Sequence, residues 1–159
     1  MARAIPYIDT GITANKSIAE IEDVIAAHAK DVSLLKRVEG GRIKSVAFQI
    51  DGADYIMPGR VEQVYERLLN EKLRQANGAS YRTSHEKQAV LYAQAERCAW
   101  RNVLMHVKST LAMVEIGMTT ITEVFMPYRL TDSGETAYER LMAGGLPALM
   151  APGGGNVTH

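Results

Sequence analysis

The residues with the clearest chemical potential lie in one run, Glu96-Arg97-Cys98-Ala99-Trp100-Arg101-Asn102-Val103-Leu104-Met105-His106-Val107-Lys108. Placed on a helix, Arg97, Arg101 and Lys108 fall within about 40° of one another, because positions four and eleven residues later come nearly back into line. Trp100 lies about 60° to one side of that row. Two guanidinium groups and an ammonium in a row can donate to a phosphate backbone, the guanidiniums in bidentate fashion. An indole beside them could stack on a base. The same residues also have plainer uses. Glu96 is close enough to compensate the charge, and Trp100 continues an apolar seam in which it would be a core residue. The expectation is a nucleic-acid-binding face made of Arg97, Arg101, Lys108 and Trp100, with a solvated face as its alternative.

Other chemistry finds little support in the spacing. His28, His85, His106 and His159 belong to separate elements, and none stands four residues from another, so no pair is placed to ligate a metal from one helical face. There is no Gly-x-Ser-x-Gly elbow, and Gly40-Gly41 and the Gly153-Gly154-Gly155 triplet lack the Gly-Lys-Ser/Thr of a phosphate-binding loop. Cys98 is the only cysteine, so no internal disulfide can form. Flanked by Ala95, Ala99 and Trp100, it reads as a packing thiol in a reducing compartment. These features predict a protein that is not an enzyme and uses no cofactor or metal.

The elements that must position the run follow from periodicity and turn chemistry. Ser17-x-x-Glu20 reads as a capping box opening a helix over about 18–30, with Ile18, Ile21 and Ile25 on one face. Val32–Val38, Arg42–Ile50 and Ala53–Met57 are rich in β-branched and apolar residues. They are separated by Gly40-Gly41 and Asp51-Gly52, which predicts a three-stranded meander with Val46, Phe48 and Ile50 sharing the buried face. A helix over 60–76 carries Val61, Val64, Tyr65, Leu68, Leu69 and Leu73 in a stripe and ends at Asn77-Gly78. Thr83-Ser84-His85-Glu86 then opens the longest helix, about 84–116. In it Trp100, Leu104, Val107, Leu111, Val114 and Met118 step by fours and threes. That seam is short for a free coiled coil and serves either packing within the domain or a two-fold dimer. A short helix after Thr120 stops at Pro127, and a last one spans 135–143. The fold class is therefore α+β: a three-stranded antiparallel sheet packed by helices, with one long helix in the second half. Residues 1–146 form one domain, and 147–159 form a flexible Gly-rich tail.

A chain of 159 residues, 47% hydrophobic and 23% charged, can bury its own core. Its formal net charge is zero, so no global field draws it to nucleic acid or an anionic membrane. The charge is uneven, however. Residues 60–108 hold nine basic against five acidic groups, and residues 109–159 two against five. No run approaches eighteen consecutive apolar residues, and the start lacks a secretory pattern, so the expected location is the cytoplasm, without membrane contact.

The run Arg97-x-x-Trp100-Arg101, with Lys108, Leu111, Val114-Glu115-x-Gly117, Thr122-Glu123-x-Phe125 and Leu130-x-x-x-Gly134-x-Thr136, resembles a family of small uncharacterised proteins of tailed bacteriophages and prophages. The likeness spans most of residues 7–145 and implies a phage or prophage origin, hence a host-cell location. It implies no mechanism. The order helix–strand–strand–strand–helix over 18–76 is also that of double-stranded-RNA-binding domains, but Glu62, Glu66 and Glu71 interleave with the basic residues of the closing helix. The functional expectation is a non-enzymatic phage accessory protein that binds nucleic acid through the cationic helix face. The alternative is a protein–protein inhibitor of a host or anti-phage defence component. That inhibitor would use the seam, the Met-rich end (Met113, Met118, Met126, Met142, Met150) or the acidic last third.

Overall fold

Asp51 and Gly52 turn the chain with φ of 52° and 77°, both in the left-handed region that a tight two-residue hairpin turn requires. This turn joins β2 (Arg42–Ile50) to β3 (Ala53–Pro58), and Gly40-Gly41 joins β1 (Val32–Glu39) to β2. The three strands form an antiparallel sheet in the order β1-β2-β3, with a register shift between Arg37 and Val38. The structure, a computed structural model, describes residues 4–28, 32–75 and 85–144. The expected Thr83-Ser84 cap and the tail over 147–159 lie outside those residues.

Alternation sorts the sheet residues as expected. Val46 pairs with Met57, and Phe48 with Tyr55, and all four are buried together with Ile50. The opposite face carries the cross-strand row Leu35, Ala47 and Ile56. Phe48 stacks on Tyr55 at 5.4 Å, and Phe125 meets Phe48 edge-on at 5.5 Å. The short helix α4 (Ile121–Phe125) brings Phe125 to that position, capped by Thr120, whose hydroxyl accepts from the Glu123 amide.

Three longer helices cover the inner face. α1 (Ala14–His28) presents Ile18, Ile21 and Ile25, all buried, to α3 (His85–Glu115), and α2 (Val61–Gln75) packs on the other flank of α3. At 31 residues, α3 is about 46 Å long and forms the spine. Trp100, Leu104, Val107 and Leu111 are all fully buried within the fold, so the first four seam positions are consumed by the domain itself. Met118, the last, is 68% exposed. A helical dimer through Trp100–Leu111 therefore has no surface to use.

One boundary moves for a physical reason. The helix expected from Ser17 begins at Ala14, the Thr13 hydroxyl caps it by accepting from the Lys16 amide, and Ser17 is buried inside the helix. Hydroxyls at 13 and 17 both suit a cap; the inner one is enclosed against the core. Glu20, read as the reaching carboxylate of a capping box, is thereby free for a different task.

Past α4, a 3₁₀ turn over Met126–Tyr128 leads to Arg129, which bridges Tyr55, while the Leu130 amide donates to the Asp54 carbonyl at 2.8 Å. The outer edge of β3 is thus partly occupied. α5 (Ala137–Gly144) follows, with Thr136 and Glu139 satisfying each other's amides, and none of its residues is buried.

Candidate functional site

The side chains of Gln94, Arg97, Cys98 and Asn102 lie on one face of α3 and all reach the N-terminal segment. Gln94 Nε2 donates to the Ile8 carbonyl at 2.9 Å, and Arg97 Nε to the Thr10 carbonyl at 3.3 Å. Cys98 Sγ and Asn102 Nδ2 both donate to the Pro6 carbonyl, at 3.1 and 3.0 Å. The segment runs through a turn over residues 6–9 and leaves backbone carbonyls that need donors, and one helical face supplies them in succession. Arg97 belongs to this strap. Cys98 is buried within it, and burial pushes its thiol above the usual range, as suits a packing residue rather than a nucleophile.

The rest of the stripe meets a carboxylate. Lys108 Nζ lies 3.1 Å and Arg101 Nη1 3.7 Å from the same oxygen of Glu20 on α1, which holds the Glu20 carboxyl below its ordinary value. Arg101 is mostly enclosed at 20% exposure, and Lys108 is half-exposed at 41%. Trp100 is completely enclosed, with its indole N–H unpartnered among the described residues. It offers no face to a base. Of the four expected residues, then, Trp100 is core, Arg101 and Lys108 clamp α1 to α3, and Arg97 straps the N-terminal segment.

Arg97 nevertheless keeps an open side. It lines a cleft of about 670 Å³ with Arg42, Glu96, the Gly40-Gly41 turn and the first residues of α1. Glu96 is engaged by Arg42 at 2.7 Å, and α1 has no acidic residue in its first turn. The N-terminal amides of a helix beside a guanidinium favour an anion.

A second polar cluster was not legible in sequence. Lys44 pairs with Glu62, the Lys44 ammonium donates to Tyr92 Oη at 3.2 Å, and the Tyr92 hydroxyl donates to Glu62 at 2.9 Å. The Arg42 guanidinium sits 4.5 Å above the Tyr92 ring. Hydrogen bonds to Glu62 and Tyr92 raise the Lys44 pKa, and burial raises that of Tyr92. Both shifts move away from neutrality, the opposite of what a general base needs. The partners lie 18, 30 and 48 positions apart, so no local spacing announces them.

The remaining feature is apolar. Exposed large hydrophobic residues gather in the last part of the described chain. Ile116 (71%) and Met118 lie at the end of α3, Met126 follows α4, and Tyr138, Leu141 and Met142 lie on α5. Leu35 and Val38 on β1 are the other conspicuous pair. Among the described residues no cluster of three or more His, Cys, Asp or Glu could hold a metal ion, and no helix is long and apolar enough to cross a membrane. Comparison with protein-family models, curated proteins and solved structures finds no match to this chain.

Proposed function

We propose that the chain is a non-enzymatic accessory protein of a phage or prophage that acts in the host cytoplasm by docking on a host or defence protein. The observation that carries this reading is α5, an amphipathic helix with no buried residue, whose Tyr138, Leu141 and Met142 are 48%, 39% and 50% exposed. Soluble surfaces seldom leave such residues grouped without a use. Met and Tyr are the side chains that adapt to a partner's surface, one by flexibility and the other by its apolar ring and polar tip. Residues 109–159 carry two basic and five acidic groups, so the fitting partner presents an apolar groove with a basic rim.

Nucleic-acid binding is the second reading, and Arg97 supports it through the cleft at the start of α1 rather than through the stripe. Affinity capture from host lysate with and without nuclease, using wild type and Leu141→Glu, separates the two. Docking predicts a stoichiometric protein that survives nuclease and is lost with Leu141→Glu. Nuclease-sensitive recovery that is indifferent to Leu141→Glu favours nucleic acid.

A further inference from the structure

The sheet has one open edge. Arg129 and Leu130 reach the outer edge of β3, but among the described residues nothing bonds to the backbone along the free side of β1. Which groups point there follows from the ladder. The Gly59 amide donates to the Lys44 carbonyl at 2.9 Å, so the even-numbered residues of β2 turn their backbone groups to β3 and the odd-numbered ones to β1. Leu35 and Arg37, opposite Ala47 and Ser45, therefore bond to β2. Val32, Leu34 and Lys36 turn their N–H and C=O groups to the open side.

Natural edges are guarded by bulges, proline or unpaired lysine. β1 has none of these devices. It holds no proline, and the unmatched residue at its register shift, Lys44, belongs to β2, which leaves β1 regular over 32–37. Its one lysine, Lys36, is turned onto α1, where Glu22 meets it at 3.1 Å. On the outer face Leu35 is 69% exposed, and it ends the apolar row that runs through Ala47 to Ile56.

We propose that β1 pairs antiparallel with β1 of a second copy of this chain about a two-fold axis, joining two three-stranded sheets into one. The axis that relates two antiparallel copies of a strand stands perpendicular to the sheet and keeps each face on its own side. A residue then stands opposite itself or a residue an even number of positions away. Charge and length select the register. Centred on Lys36 or Arg37, the pairing sets like charges directly against each other. Centred on Val38 it engages only residues 37–39, and centred on Leu34 only 32–36. Centred on Leu35 it engages 32–38, with Lys36 opposite Leu34 and Arg37 opposite Ser33, so no charge meets its like.

In that register the outward groups of Leu34 and Lys36 satisfy each other across the axis. The two Leu35 residues form a non-hydrogen-bonded pair, the kind in which side chains approach closest. The apolar row becomes continuous from Ile56 of one copy to Ile56 of the other.

The test combines sedimentation of the full chain across concentration with cysteine crosslinking. The wild type should dimerise reversibly as concentration rises. Leu35→Glu, at an exposed position, should keep Tm and weaken the dimer at least about tenfold by opposing two carboxylates. Leu141→Glu should leave the dimer unchanged, which separates this interface from the α5 docking surface. Under mild oxidation Leu35→Cys should form a disulfide-linked dimer, because opposite non-hydrogen-bonded residues have Cα atoms about 4.5 Å apart, within disulfide reach. Val38→Cys should not, since its two copies stand roughly 20 Å apart in this register. The wild type, whose one thiol is the buried Cys98, should not crosslink either. A monomer at millimolar concentration, a dimer indifferent to Leu35→Glu, or crosslinking of Val38→Cys as ready as that of Leu35→Cys would overturn the proposal. So would a dimer lost with Leu141→Glu.

Discussion

The indole of Trp100 lies so close to Gly59 that a Cβ on residue 59 would stand 2.6 Å from Cζ2 and 2.7 Å from Cε2. Neither atom can yield easily, because the ring is fully buried. This contact joins the centre of α3 to the β3–α2 connection and fixes where α2 starts.

Gly59→Ala should therefore destabilise the protein by about 1–3 kcal/mol, the usual cost of overpacking. Trp100→Ala should cost about 3–5 kcal/mol. In a Trp100→Leu background the added cost of Gly59→Ala should shrink, since the clashing atoms are gone. Urea denaturation of the four proteins measures this coupling, and strictly additive costs would mean the contact does not set the path.

Glu20 gives the test of the cationic stripe. Lys108→Ala should change stability by less than about 1 kcal/mol, as half-exposed pairs do. Glu20→Ala should cost more, because it leaves the largely enclosed Arg101 guanidinium without its carboxylate. If the stripe seats phosphate, Glu20→Ala should also raise affinity for DNA or RNA at low salt, by removing a competing charge. We expect no such rise in a mobility-shift assay.

Acid should act through the same carboxylates. Glu20, Glu62 and Glu139 all have pKa values below the ordinary one: Glu20 chiefly through its hydrogen bond from Lys108, Glu62 through Lys44 and Glu139 through the Thr136 amide. A carboxylate with a depressed folded pKa is protonated first in the unfolded chain. Its contribution is present above the unfolded value of about 4.3 and is lost as pH falls through the folded one. Tm should be flat above about pH 5 and fall below about pH 4, and Glu20→Gln should lessen the fall. An equal fall in both proteins would contradict this role for Glu20.

Cys98 should be inert while the protein is folded. It is buried and bonded to the Pro6 carbonyl, so a thiol reagent should modify it only after denaturant is added. Prompt labelling in buffer would show that the N-terminal strap opens.

The sheet was legible because turn chemistry and alternation agreed at Asp51-Gly52, Val46, Phe48 and Ile50. The long helix was legible because its apolar period runs unbroken from Trp100 to Leu111. What periodicity could not supply was the partner of each polar face. Arg97, Arg101 and Lys108 do share a helical side, yet Thr10 and Glu20, more than about 80 positions away, take up their hydrogen bonds and charge. A stripe read from one helix alone looks solvated, because nothing in it records which helix packs there. The cap shifted from Ser17 to Thr13 for the same reason: tertiary enclosure, invisible locally, decided between two hydroxyls. The apolar end was visible as a run of methionines, but only the fold separates a core Phe125 from an exposed Met126.

Self-association follows a similar revision. With Trp100 to Leu111 spent on the core, a two-fold dimer would have to use other exposed apolar residues, those of β1, the end of α3 or α5; if it uses α5, Leu141→Glu yields a monomer by light scattering.

The central claim, that the half-exposed apolar residues of α5 dock a partner protein, is tested most directly by site-specific photo-crosslinking. A photoreactive residue at position 138, in the full chain expressed in the host, should trap one discrete protein. Leu141→Glu should abolish the adduct without lowering Tm, and the same probe at Glu66 on α2 should trap nothing. Equal adducts from both positions, or an adduct at 138 that persists with Leu141→Glu, would contradict the account.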